Sequence, residues 1–204
     1  MASPDVPALS LRAAQRIVEL SRPWALMIAY VVVSESGHPV LALPVAVATC
    51  LAAFVQMHDA IHESLGLSRR GHSLVLTLSA QLLLKSGHAL KATHLRHHGK
   101  CLGGDDPEGA PAHWSLGRVL FAGPFHILAL RREALRIAPR LARKQVLETL
   151  ATVFVVAIAV AAYSLWGSVT GVAYLAVAAL VSAAMPLWAS YIPHRLAPRA
   201  PAVR

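Results

Sequence analysis

The sequence predicts an all-α integral membrane protein: four transmembrane helices in two hairpins, with a cytoplasmic and interfacial helical segment between them. Three observations carry this expectation. The 204-residue chain is 56% hydrophobic and 14% charged with a mean hydropathy of +0.54, outside the usual range of soluble domains. Four apolar runs approach the roughly 20 residues needed to cross a hydrocarbon core of about 30 Å. Lys and Arg are absent from the two short turns that would join these runs in pairs.

The first 23 residues mix Pro4, Pro7, Arg12, Arg16, Glu19 and Arg22 with short apolar pieces, so they do not read as a signal peptide, and the N-terminus is expected in the cytoplasm. The first span is expected at residues 24–34, short enough to need tilt, a thinned bilayer or the semi-polar turn before Pro23. Ser36, Gly37, His38 and Pro39 form a tight turn to the second span, 40–57. Residues 73–84 are apolar over too short a run to span and are followed by Lys85, His88 and Lys91, which predicts a helix in the interface or half-inserted. Residues 99–117, rich in Gly, Pro and Asp, predict a loop. Residues 118–144 mix Leu, Ile and Phe with basic residues and predict a membrane-surface amphipathic segment broken by Pro124 and Pro139. The third and fourth spans are expected at 146–166 and 169–191, joined at Gly167 and Ser168. A single domain over 1–204 is the natural reading.

Of the 19 Lys and Arg, 13 lie between the hairpins; Arg12, Arg16 and Arg22 precede the first span, and Arg195, Arg199 and Arg204 follow the fourth. Because cytoplasmic loops are enriched in Lys and Arg, both termini and the middle segment are expected on that side. The net charge of +9 then follows from topology and attraction to anionic headgroups. No interleaving of aromatic and basic residues points to nucleic acid. Cys50, in an apolar run, and Cys101, in a Gly-rich loop, do not suggest a disulfide framework.

The chemistry is concentrated in two stretches, MHDAIHES at 57–64 and KATHLRHHGK at 91–100. His58 and His62 are four apart, and His94, His97 and His98 have offsets of three and four, so each set shares a helix face. Both sets fall at the cytoplasmic ends of apolar helices, where they can face each other. Neutral imidazole is a good ligand for iron, zinc, copper or nickel, and facing helices are how a bundle builds a metal site. One HxxxH arises easily by accident among 11 histidines; HxxHH beside it does not. His88 is expected as a ligand or as a partner of one. His113 and His126 are expected to be interfacial, and His38 and His72 solvated. In GGDDPEG, Asp105, Asp106 and Glu108 are expected to orient ligating imidazoles or hold the loop.

HDAIHES, SRRGHSLVLTLSAQLL and ATHLRHHGKCLGGDDPE resemble the first and second histidine boxes, the intervening helix and the acidic loop of the membrane fatty acid desaturase superfamily, which includes carotenoid ketolases and hydroxylases. The resemblance covers about residues 20–195. It implies a non-haem di-iron centre on the cytoplasmic side of four spans, which activates O₂ to abstract hydrogen from an unactivated C–H bond of a lipid. It carries over His58, His62, His94, His97 and His98 as iron ligands. YIPHR at 191–195 is similar to the end of the fourth helix in the carotenoid ketolases and adds His194. The implied partners are a fatty acyl or carotenoid substrate and an electron donor such as a ferredoxin or a cytochrome b5-type protein.

The superfamily's third box, another HxxHH after the fourth helix, is not among these residues, which close on LAPRAPAVR. The domain is therefore expected to be C-terminally short, as a truncated product, a fragment or one part of a split enzyme. His88, His113, His126, Asp59, Glu63, Asp105 and Asp106 are the other residues that could fill coordination positions. Three functions follow as expectations: an acyl desaturase, a carotenoid ketolase or hydroxylase, and a catalytically silent metal-binding paralogue.

The topology has a direct test. Reporter fusions at Gly37 and Gly167 are expected to report the outside and one at Gly104 the cytoplasm; an outside signal at Gly104 would invert the arrangement and carry the histidine boxes with it.

Overall fold

The computed structural model describes residues 13–196; Arg12, Arg199, Arg204 and the end of LAPRAPAVR lie outside the described residues. The described chain is helical: α1 (Ala13–Glu35), α2 (Pro39–Ile61), α3 (Arg69–Leu82), α4 (Gly87–Lys100), α5 (Leu116–Ile137), α6 (Ala142–Trp166), α7 (Thr170–Met185) and α8 (Ile192–Leu196). Short 3₁₀ turns lie at Ala110–His113 and Pro139–Leu141, and a π-helical turn, Pro186–Tyr191, continues α7 into α8. Four stretches are long and apolar enough to cross a membrane: Ala13–Glu35, Pro39–Ile61, Pro139–Trp166 and Thr170–Arg195. They form the two expected hairpins, α1 with α2 and α6 with α7. Gly37 (φ 84°) and Gly167 (φ 69°) make the left-handed turns.

The first span differs from its expectation. Instead of beginning at residue 24, α1 runs back through Pro23 to Ala13, so its 23 residues reach about 35 Å. Proline lacks the N–H that would bond the carbonyl of Glu19, one turn earlier. Gln56 of α2 supplies that hydrogen: its Nε2 donates to the Glu19 carbonyl at 2.7 Å and to the Leu20 carbonyl at 3.0 Å. Ser79 of α3 donates to Gln56 Oε1 at 2.6 Å. One buried amide therefore repairs α1 and ties three helices together.

The hairpins meet each other and α3 through polar contacts in an apolar setting. Tyr30 donates to the Thr170 carbonyl at 2.7 Å, the Ser34 and Thr170 hydroxyls are 2.7 Å apart, and Tyr174 donates to the Leu82 carbonyl at 3.0 Å. In lipid, where apolar burial gives little preference for one helix neighbour over another, such bonds and close small-residue packing choose the partners. Gly171 illustrates the packing: a Cβ there would stand 2.8 Å from that of Ala159.

A second expectation is corrected in α5. Pro124 does not break the amphipathic segment; it lies inside a continuous helix, and only Pro139 interrupts the chain. Pro124 and Leu120, whose carbonyl the proline leaves without its helical partner, are both on the exposed side of α5, away from the packed face of the helix.

Helix α4 is fixed by Glu148 of α6, whose side chain is 3% exposed. It accepts from Ser86 Oγ at 2.5 Å, His88 Nδ1 at 2.7 Å and Thr77 Oγ1 at 3.1 Å. With its Nδ1–H given to the carboxylate, His88 turns the lone pair of Nε2 to the Lys144 ammonium, 3.0 Å away. An anion and a cation are thus balanced across one imidazole, and the register of α4 is set.

Replacing Gln56 with Leu is expected to destabilise the detergent-solubilised protein by about 2 kcal/mol, because the Glu19 carbonyl and Ser79 hydroxyl lose their partner. In a Pro23→Ala background, where residue 23 regains its N–H, thermal unfolding should register a smaller loss. Equal losses in both backgrounds would mean that Gln56 does not compensate for the proline.

Candidate metal centre

The C-terminal end of α2 and the face of α4 opposite it converge on one end of the bundle. His58 lies in the last turn of α2 and His62 caps it; His94, His97 and His98 come from α4. The nitrogens of His58, His62, His94 and His98 form a group within 4.8 Å of one another, and His97, Cys101 and His194 form a second. The groups adjoin: the ring of His97 is 5.9 Å from that of His98 and 5.3 Å from that of His194.

The acidic loop orients this cluster. His94 Nδ1 donates to Glu108 Oε1 at 2.7 Å, and His97 Nδ1 donates to Asp106 Oδ2 at 2.7 Å. An ionised carboxylate only accepts, so each pair places its hydrogen on Nδ1 and leaves the lone pair on Nε2. Asp106 is held in turn by the amides of Leu102 at 2.8 Å and Gly109 at 2.9 Å. Burial works to raise its pKa, but these amides and the His97 imidazole outweigh it and keep the carboxyl below its ordinary value.

The Nε2 atom of His94 stands 3.1 Å from Nε2 of His62 and 3.1 Å from Nε2 of His98. A single lone pair can accept one full hydrogen bond, so hydrogen bonding alone accounts for only one of these contacts. A shared cation accounts for both. Nitrogens about 2.1 Å from one ion stand about 3.0 Å apart at a right angle and about 3.4 Å apart at the tetrahedral angle. Burial, and then the neighbouring imidazoles, lower the pKa of His62 and of His98, so these rings stay neutral and able to bind a cation to lower pH than a free imidazole. The donor set therefore fits a transition metal.

The structure brings His58, His62, His94, His97, His98 and His194 together and leaves the other candidates apart. His88 belongs to the Glu148 network. His113 bonds the Leu102 carbonyl at 3.2 Å, and His38 is exposed in the first turn. Glu63 pairs with Lys91 at 2.8 Å, Asp105 pairs with Arg96, and Asp59 lies 3.8 Å from His58 Nδ1. Two histidines depart from their expectations. His72, expected in solvent, is 3% exposed, with Nδ1 3.1 Å from the Ser68 carbonyl, because α3 packs on the bundle and does not float on its surface. His126, expected at the interface, is 6% exposed and stacked edge-on against Trp114. Sequence reasoning missed Cys101, although its place three residues after His98 was a usable signal.

A family model, fatty acid desaturase, matches residues 36–203 and so takes in both histidine groups. The chain belongs to the fatty acid desaturase family. No curated protein and no solved structure matches it. With four span-length helices, membership makes it an integral membrane protein, and the desaturase family's chemistry is oxidoreductase chemistry on lipids.

Metal content after dialysis against a competing chelator should fall strongly in His97→Ala and stay unchanged in His38→Ala. Glu108→Gln, which keeps the shape but weakens the hold on His94, should lower metal affinity about tenfold or more. Equal losses in the first two variants would remove the histidine groups as the site.

Proposed function

We propose that the chain is a membrane-bound, O₂-dependent non-haem di-iron oxidoreductase that desaturates a fatty acyl chain. The observation that carries this reading is the pair of adjoining groups with carboxylate-oriented imidazoles, His94 on Glu108 and His97 on Asp106. His58, His62, His94 and His98 would hold one iron, and His97 and His194, with Cys101 beside them, the other. Bound there, iron supplies the redox chemistry that activates O₂. Overall, two hydrogens from the chain, with two electrons from a donor and two protons, reduce O₂ to two waters.

The chain's own residues supply position and an apolar wall. Phe54, Met57, Ile61, Leu90 and Met185 line a pocket of about 250 Å³, counting its open mouth, that reaches His58, His94 and Glu108. These walls present an apolar face to a lipid on the side of His58 and His94, while His62 and His98 are exposed. Both termini and the histidine end are assigned to the cytoplasm because Lys and Arg avoid the two short turns. That side is where a ferredoxin or cytochrome b5-type donor would deliver electrons. The whole of 1–204 acts in this reading as one domain.

A carotenoid as substrate is the second reading, favoured by YIPHR, whose His194 stands beside His97. The test is iron analysis of the purified protein, with lipid extracts from cells expressing it. Iron with a new acyl double bond is expected; iron with a ring-oxygenated carotenoid would select the second reading. Protein free of iron, with no product, would leave a silent paralogue and overturn both.

A further inference from the structure

Between α5 and the π-helical turn lies a cavity of about 370 Å³, counting its open mouth. Ile127, Leu130, Met185 and Pro186 make most of its wall apolar, yet Lys85, His126 and Glu108 also line it. Lys85 is 4% exposed and forms no ion pair among the described residues. Its ammonium reaches only the Ser182 carbonyl at 3.4 Å and the thioether of Met185 at 3.0 Å, one long contact and one weak acceptor. His126 Nε2 and Glu108 Oε2 are buried without hydrogen-bond partners. Two unpartnered polar atoms and one weakly bonded ammonium around one cavity call for a ligand that engages them. Burial pushes Lys85 down to about 8 and His126 down to about 4, so at neutral pH the amine is still largely charged and the imidazole neutral.

We infer that Lys85, His126 and Glu108 form a recognition site for the hydroxyl group of a lipid alcohol. Lys85 only donates and Glu108 only accepts, so a small group that serves both must itself accept and donate. A carboxylate would face the charge of Glu108, an amine would set a second cation beside Lys85, and a ketone or ester would leave Glu108 unpaired. A hydroxyl accepts from Lys85 and, on its second lone pair, from His126 with the hydrogen on Nε2, and gives its one hydrogen to Glu108. The apolar residues toward the mouth are what the body that carries it would lie against. Glu108 bonds His94 through Oε1 and leaves Oε2 unpartnered, and it lines both this cavity and the one at His58. An oxygen function bound here therefore sits beside the histidine cluster, where it selects hydroxylated lipids over plain hydrocarbons. The choice of a lipid body rests on the proposed function; the choice of a hydroxyl rests on the cavity alone.

The test is competition binding to the purified full chain in detergent with three probes of one chain length: octadecanol, octadecane and octadecanoic acid. The alcohol is expected to bind about tenfold more tightly than the hydrocarbon. Lys85→Met should erase that difference while leaving hydrocarbon binding and iron content unchanged, and His126→Leu should reduce it. Unchanged iron in Lys85→Met separates a failure here from a failure of the metal reading. Equal binding of alcohol and hydrocarbon to the unmodified chain would leave only water in the site and overturn the inference. So would tighter binding of the acid, or an alcohol preference that survives Lys85→Met. Should Lys85→Met not fold, the ranking by the unmodified chain decides.

Discussion

A carboxylate that can only accept a hydrogen bond decides which nitrogen of a histidine faces its neighbours, and in this protein that constraint aims the histidine cluster. Asp106 and Glu108 each take the Nδ1 hydrogen of a histidine on α4 and so turn the Nε2 lone pairs of His97 and His94 outward. Without those two bonds, the imidazoles could rotate and exchange tautomers, and their spacing would carry no chemical meaning. Glu148 acts on the same helix from the other side, holding His88 and the N-cap residue Ser86. Helix α4 is thus pinned by carboxylates on two faces, one set fixing the helix and the other aiming its side chains.

The membrane explains why so few polar groups do so much. In a bundle whose exterior is as apolar as its interior, each buried polar contact is costly to break and specific in its partner. Gln56 is the clearest case. It answers a vacancy created by Pro23, accepts the Ser79 hydroxyl, and so fixes α2, whose last turn carries His58, against α1 and α3. The histidines of α2 and α4 meet because these networks leave their helices one mutual arrangement.

Much of this was legible in the sequence, for reasons that can be named. Apolar length and Gly turns mark spans well because lipid imposes one length on them all, and the histidine spacings disclose a shared face because helical periodicity is rigid. What escaped depended on contacts distant along the chain. The start of α1 was misplaced because the group that satisfies the Glu19 carbonyl lies in another helix. Glu148 is inconspicuous in the sequence because it sits in an otherwise apolar stretch. His72 reads as solvated because α3, taken alone, gives no sign of which face it buries. Pro124 reads as a breaker because its tolerance depends on the exposed side of α5. His194 stands out in the sequence as a ligand candidate only through the resemblance of YIPHR, its nearness to His97 is visible only in the fold, and Cys101 follows HHGK directly without standing out.

In the function proposed above, imidazoles aimed by Asp106 and Glu108 would hold a pair of irons at one end of the bundle. Anomalous X-ray scattering at the iron absorption edge, from crystals of the full chain grown with iron, tests it most directly. Two peaks are expected, one among His58, His62, His94 and His98 and the other between His97, Cys101 and His194. Iron bound elsewhere, or no iron among these histidines, would contradict it.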